Sequence, residues 1–302
     1  MRGAGVTPHM PTAADLLPDA TVMGPVTLAV ADLDRMIAFY HGGLGLSVLA
    51  QDRGTAVLGR GGIPTLLLDQ DGTLAHAPAT AAGLYHTAFL FDTAANLASA
   101  VNSVARQPRA VFQGSADHLV SEAFYFADPE GNGVELYVDR PRDVWRIEPS
   151  GDIAMATLAL DPNAYLREHL TEAGAAAVAD SPARVGHVHL KVGDLAAARQ
   201  FYVDTLGFAV TASYGQQALF VSAGGYHHHV GMNTWESRGA GERSPALGLG
   251  EVTIELPDHD AIAALTERVH SRGITHAFDG AELAVHDPWR NRIRVTSATD
   301  AG

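Results

Sequence analysis

The chain has 302 residues, 47% of them hydrophobic and 18% charged, enough for two ordinary domains with buried cores. Its 20 basic and 34 acidic side chains leave a formal net charge of −14, and no basic stripe is present, which argues against phosphate-backbone binding. It contains no cysteine, so disulfides and thiolate chemistry are excluded and any metal would rest on His, Asp and Glu.

No apolar stretch reaches the roughly 20 residues that span a bilayer, and the opening run, MRGAGVTPHMPTAADLLPDA, lacks the basic-then-apolar order of a secretory signal. Residues 1–21 read as a tail, and the expected setting is cytoplasmic, with neither membrane nor nucleic acid as partner. Fifteen histidines are many for this length, and their placement has to carry any functional argument.

A repeat organises the rest. GPVTLAVADLDRMIAFYHGGLGLSV (24–48) and GHVHLKVGDLAAARQFYVDTLGFAV (186–210) share G-x-V-x-L-x-V-x-D-L, then F-Y, then L-G at the same offsets. In the first copy, period-2 alternation predicts a strand before Asp32, helical spacing follows as far as Phe39-Tyr40, and Gly45 marks a stop. TAVLGRGGIPTLLLD continues as β-type runs. A more divergent module starts at LYHTAFLFDTAANLASAVNSVA (84–105), a strand then an amphipathic helix, and closes on the hairpin FYFADPEGNGVELYVD (124–139).

Residues 141–181, with the Ala-rich stretch LREHLTEAGAAAVADSPAR, read as a helical linker. The third module repeats the first, with Asp194 opening the helix and Gly207 as its stop, and runs on into QALFVSAGGYHHHVGMN. Read as a strand, His227, His228 and His229 would alternate between opposite faces of the sheet. The fourth module pairs GEVTIELPDHDAIAALTERVHSRG (250–273) with LAVHDPWRNRIRVTS (283–297) and matches the second. The prediction is an α+β fold: four β-α-β-β-β modules in two domains, 22–140 and 182–299, whose sheets pair into half-open barrels with concave interiors suited to a ligand.

The paired V-x-D-L, F-Y and L-G signatures and the DPEGNGVELY hairpin resemble the vicinal-oxygen-chelate superfamily, the group of glyoxalases, bleomycin-resistance proteins and type I extradiol dioxygenases. The resemblance covers nearly the whole chain outside the tail and the linker. It implies the fold more narrowly than the reaction, since several chemistries share this scaffold. In the superfamily a metal takes one ligand from the first strand and one from the last strand of each of two paired modules. Superposing the four first strands places Pro25, His86, His187 and Glu251 at one position, and aligning the last strands of modules two and four through Asp128-Pro129 and Asp287-Pro288 sets Glu135 against Arg294. The implied ligands are His86, Glu135 and His187, between modules two and three, where better-known members use the third and fourth. His189, pointing the same way as His187 at period 2, is the rival ligand.

Two imidazoles and one carboxylate form the facial triad of non-haem Fe(II) oxygenases, and the same ligands also bind Mn(II). Within the superfamily, extradiol dioxygenases resemble this chain in F-Y-x-x-[DT]-P-x-G-x-x-x-E, which FYFADPEGNGVE matches with Tyr125 ten residues before Glu135. They also carry an acid–base histidine in H-x-[LV]-A-F, which His228-His229-Val230-Gly231-Met232 follows with Gly and Met for Ala and Phe. This indicates His228, with His227 and His229 turned away. His118 is the counterpart of a substrate-binding histidine, at a shorter spacing than the family's, and Asn233 and Trp235 are expected to line the pocket. The implied function is an Fe(II)-dependent extradiol dioxygenase acting on a catechol-type substrate with dioxygen, a homodimer being compatible with the free sheet edges. The alternatives are a glyoxalase-type isomerase or lyase on Ni(II), Zn(II) or Mn(II), and a small-molecule-binding protein without catalysis.

Overall fold

A strand followed by a capped helix recurs four times along the chain. The first module runs β1 (Val22–Val30), α1 (Leu33–Leu44), β2 (Ser47–Gln51), β3 (Thr55–Arg60) and β4 (Ile63–Gln70). The second runs β5 (Gly83–Phe91), α2 (Ala94–Val104), β6 (Val111–Asp117), β7 (Ser121–Ala127) and β8 (Gly133–Asp139). A connecting segment carries β9 (Leu158–Ala159), α3 (Pro162–His169) and α4 (Glu172–Ala176). The third module comprises β10 (Ala183–Lys191), α5 (Leu195–Tyr202), β11 (Ala209–Tyr214), β12 (Ala218–Ser222) and β13 (Val230–Asn233). The fourth comprises β14 (Gly248–Leu256), α6 (His259–Ser271), β15 (His276–Phe278), β16 (Leu283–His286) and β17 (Arg292–Ser297). The computed structural model describes residues 15–176, 178 and 183–298. Most of the expected tail (1–14), the end of the expected linker at 177 and 179–181, and the domain limits at 182 and 299 lie outside the described residues.

Each module helix starts where a short polar side chain, Asp32, Thr93, Asp194 or Asp258, accepts the backbone N–H three residues on, satisfying one of the otherwise unpaired donors of the first turn. Gly45 ends α1 in the left-handed conformation, φ 69°. Its counterpart Gly207 does not end α5. That helix stops at Val203, and the Gly207 N–H closes a further turn onto the Val203 carbonyl.

Each module sets its last strand parallel beside its first: β4 on β1, β8 on β5, β13 on β10 and β17 on β14. Sheets form between modules from different halves of the chain. β5 pairs antiparallel with β10, building a nine-stranded sheet from modules two and three and β9, and β1 pairs with β14 in an eight-stranded sheet from modules one and four. The two curled sheets and their helices share one continuous apolar core. Among the described residues no helix is long and apolar enough to cross a membrane.

The repeated F-Y and D-P motifs stitch the modules within each half. Tyr40 on α1 donates to Asp128 Oδ2 at 2.9 Å, and Tyr202 on α5 donates to Asp287 Oδ2 at 3.0 Å. Asp128 also accepts from the Glu130 and Asn132 backbone and from Asn132 Nδ2, as Asp287 does from Trp289 and Asn291. Both carboxyls are buried, so every donor counts against their desolvation.

The connecting segment opens on one 3-10 turn, Arg142–Val144, and is α-helical in its later part. Asp161 caps α3 with Pro162 in its first turn, whereas Leu158–Ala159 extends the nine-stranded sheet by pairing with β6.

Tyr40→Phe and Tyr202→Phe each remove a donor from a buried carboxyl. Each is expected to lower unfolding free energy by about 1.5–3 kcal/mol, read as a lower denaturant midpoint with an unchanged slope.

Candidate metal centre

The seam between β5 and β10 sets His189 opposite His86 and His187 opposite Ala88, while β8 sets Glu135 beside Ala88 from the other side. His86, His187 and Glu135 are all buried, and one ligand atom from each lies within 4.8 Å of the others. Glu135 Oε2 is 2.8 Å from His86 Nε2 and 3.1 Å from His187 Nε2. β8 approaches this closely because residue 133 is glycine: a Cβ there would collide with the Tyr85 carbonyl and press on His86 Cβ.

Burial would raise the Glu135 carboxyl, but His187 and His86 carry it well below the usual carboxylate range. Burial pushes His187 down to about 4, against the pull of Glu135. A carboxylate beside a neutral imidazole is the protonation state that metal ligation requires. Among the described residues no Lys or Arg pairs with Glu135. His86 Nε2, despite its 2.8 Å approach, makes no hydrogen bond of acceptable geometry and is buried without another partner. A ligand nitrogen and a carboxylate oxygen that both face a third centre behave this way. The donor set, two nitrogens and an oxygen, fits a first-row divalent ion.

The triad opens onto a cavity of about 910 Å³ whose lining includes His118, Tyr125, His189, His228 and Trp235. Tyr125 lies across from Glu135 in the β7–β8 pair. His118 Nδ1 donates to the Ala156 carbonyl at 2.7 Å, so its neutral form accepts the Tyr125 hydroxyl proton at Nε2, also at 2.7 Å. The connecting segment supplies that carbonyl, and Met155 and Thr157 add to the cavity wall. Burial, then Glu135, pushes the Tyr125 phenol well up.

His189 faces the same cavity but its Nε2 is engaged. Asn233 Oδ1 accepts the Trp235 backbone N–H at 3.2 Å, which leaves Asn233 Nδ2 to donate to His189 Nε2 at 3.1 Å. Asn233, expected on the pocket wall, is fully buried behind His189. Trp235 does line the cavity and is half exposed at its mouth.

The three consecutive histidines are not in a strand. Gly224 and Gly225, with φ 59° and 64°, turn the chain after β12, and β13 begins only at Val230. His228 reaches the cavity, its ring centroid 4.0 Å from that of His187. His229 turns toward Phe208 and Tyr226, and its Nδ1 accepts the Ala223 N–H. His227 is not turned out to the far face. It is fully buried, with Nδ1 2.8 Å from His228 Nδ1 and Nε2 2.9 Å from Oδ1 of Asp139. Asp139 was not legible as part of this group, because the contact joins residues far apart in sequence.

Residues 22–136 and 184–295 match the family described as the glyoxalase/bleomycin resistance protein/dioxygenase superfamily. A catechol-2,3-dioxygenase of Bacillus subtilis (strain 168) is 36% identical over 272 residues, 89% of this chain and 94% of that protein. Among solved structures, a candidate dioxygenase from Bacillus subtilis superposes with a TM-score of 0.64 at 12% identity, over 91% of this chain and 85% of its own. Glyoxalase I from Zea mays gives 0.56 at 17% identity, over 93% and 94%. At these identities the two structures speak for the fold.

Burial holds His229 down at about 3, below its value of about 6.5 in the unfolded chain. The unfolded state therefore takes up the proton first, and stability falls as pH drops below about 6.5. Between pH 6.5 and 5, His229→Asn is expected to lose roughly 1–2 kcal/mol less stability than the parent chain, as measured by denaturant titrations at the two pH values.

Proposed function

The chain belongs to the glyoxalase/bleomycin resistance protein/dioxygenase superfamily, and from that membership we propose that it is an Fe(II)-dependent extradiol dioxygenase, opening a catechol-type ring with dioxygen. The observation that carries this reading is one cavity in which a two-imidazole, one-carboxylate triad is flanked by His228 beside His187 and by the Tyr125–His118 pair beside His86. The relative at 36% identity supports the same reaction.

His86, His187 and Glu135 would hold the ferrous iron, which would supply Lewis acidity and redox chemistry toward the substrate and dioxygen. The remaining work falls to the chain's own groups. Tyr125 donates its hydroxyl hydrogen bond to His118 and stays a phenol, so its oxygen is free to accept a hydrogen bond from one substrate hydroxyl. His228 has one ring nitrogen on His227, and its other has no hydrogen-bond partner among the described residues. That nitrogen is suited to take the second hydroxyl proton and return it as the ring opens. Tyr85, Val120, Met155 and Phe220 give the cavity an aromatic and aliphatic wall around the ring.

A glyoxalase-type isomerase would be expected to carry a further Glu or Gln ligand. The β13 residue that corresponds to Glu135 is Gly231, paired with His189 as Glu135 is with Ala88. A Cβ there would stand 3.1 Å from the His189 ring, so that position gives room to an imidazole and offers no carboxylate.

Anaerobically purified protein reconstituted with ferrous iron is expected to consume one dioxygen per catechol and to form a yellow ring-opened product. Absence of oxygen uptake across a panel of catechols would falsify the reading. His86→Ala and Glu135→Ala are expected to lose bound iron by metal analysis. His228→Ala should keep the iron but lose about 10²–10⁴-fold in kcat, and loss of the iron instead would count against its role as acid and base.

A further inference from the structure

We propose that Asp139 and His227 are positioning residues that fix the tautomer of His228, so that the ring nitrogen left to the cavity is a bare acceptor. The inference rests on the dioxygenase reading for what His228 does, and on hydrogen-bond direction alone for how it is held.

Asp139 ends β8, four residues after Glu135, with its side chain about a quarter exposed. Its ionised carboxylate only accepts, so at 2.9 Å the His227 Nε2 must carry the hydrogen. A neutral His227 then has a lone pair at Nδ1. That lone pair faces His228 Nδ1 at 2.8 Å, which must therefore donate. With its one hydrogen committed there, neutral His228 presents an unprotonated Nε2. Each link is dictated by the one before it, and the sequence begins at the only member that is always an acceptor.

The surroundings hold His227 to this part. Its ring is fully buried, 4.1 Å from the Tyr226 ring and 5.5 Å from Trp145, over both of which the Arg142 guanidinium lies. Thr211 Oγ1 donates to the His227 carbonyl at 2.6 Å, pinning the backbone. A fully buried ring packed against two aromatic rings and pinned at its carbonyl has little freedom to exchange its two nitrogens by turning over. A purely structural His227 would need its packing and not the identity of its nitrogens.

The test reads the tautomer directly. In protein labelled with 15N-histidine, either metal-free or loaded with diamagnetic Zn(II), His228 is expected to show a protonated Nδ1 and an unprotonated Nε2. Asp139→Leu and His227→Leu are both expected to bring hydrogen onto His228 Nε2. In the iron-loaded enzyme they should lower kcat by about 10²-fold with KM and iron content nearly unchanged. His227→Asn, whose Oδ1 restores an acceptor where Nδ1 stood, should recover much of that loss. The proposal is overturned if His228 carries hydrogen on Nε2 in the parent protein, if His227 is protonated on both nitrogens, or if neither leucine variant moves the tautomer. Asp139→Leu lies at a partly exposed position and keeps the question open to measurement should His227→Leu fail to fold. A parent enzyme inert toward every catechol would sink the dioxygenase reading, while the nitrogen spectra would still decide the tautomer.

Discussion

Because β5 and β10 run antiparallel along the line where the two halves of the chain meet, histidines from distant segments come to stand side by side over one sheet face. The parallel β5–β8 contact then brings Glu135 between them. Neither half contains the group by itself: His86 and Glu135 come from one and His187 from the other. The centre is thereby tied to the folding of the whole chain, since a shift of one residue in the β5–β10 register would put the two imidazoles on opposite faces of the sheet.

The second sheet is a control within the same molecule. β1 and β14 meet with the same polarity, and Glu251 is buried on β14 much as the ligand candidates are on β5 and β10. There the carboxylate is 2.7 Å from Nε of Arg292 and 2.7 Å from Nε of Arg294, and Arg294 reaches on to Glu282. A buried anion needs a compensating charge. Glu251 finds it in two arginines of its own module, whereas among the described residues Glu135 has only imidazoles beside it, of which burial holds His187 down. The difference between one scaffold position that neutralises itself and another that awaits a cation comes down to Arg294 standing where module two has Glu135.

Much of this was legible in the sequence because repeats expose substitutions against a constant background. The F-Y, D-P and strand signatures aligned the modules, and the module in which ligand types coincided is the one whose strands converge. What was not legible depended on contacts without a local signature. Tyr40 with Asp128 and Tyr202 with Asp287 are each conspicuous alone, yet nothing in their spacing says that they bond. The triple histidine read as a strand because Tyr226 and Val230 flank it with β-type side chains, and two left-handed glycines overrode that pattern. The connecting segment read as helical from its alanines, while the residues before Asp161 became an edge strand and a cavity wall. Asn233 looked like a pocket residue by proximity, but its β13 position directs it at His189.

The histidines around the cavity can be sorted by what each Nε2 is committed to. His118 accepts there from Tyr125, because its Nδ1 is spent on a carbonyl. His189 accepts there from Asn233, whose own orientation is set by the Trp235 backbone. Among the described histidines that line the cavity, His86 and His187 direct Nε2 at a carboxylate oxygen, and they do so at the same oxygen. His228 directs that nitrogen at no protein group among the described residues, because its hydrogen is drawn to the opposite side of the ring by His227. Burial keeps His187, His189 and His228 neutral by lowering each, so hydrogen-bond direction rather than charge tells them apart. Imidazoles of one chemical kind, packed within a single cavity, thus acquire separate capacities from the carbonyl, amide, imidazole or carboxylate that each one faces.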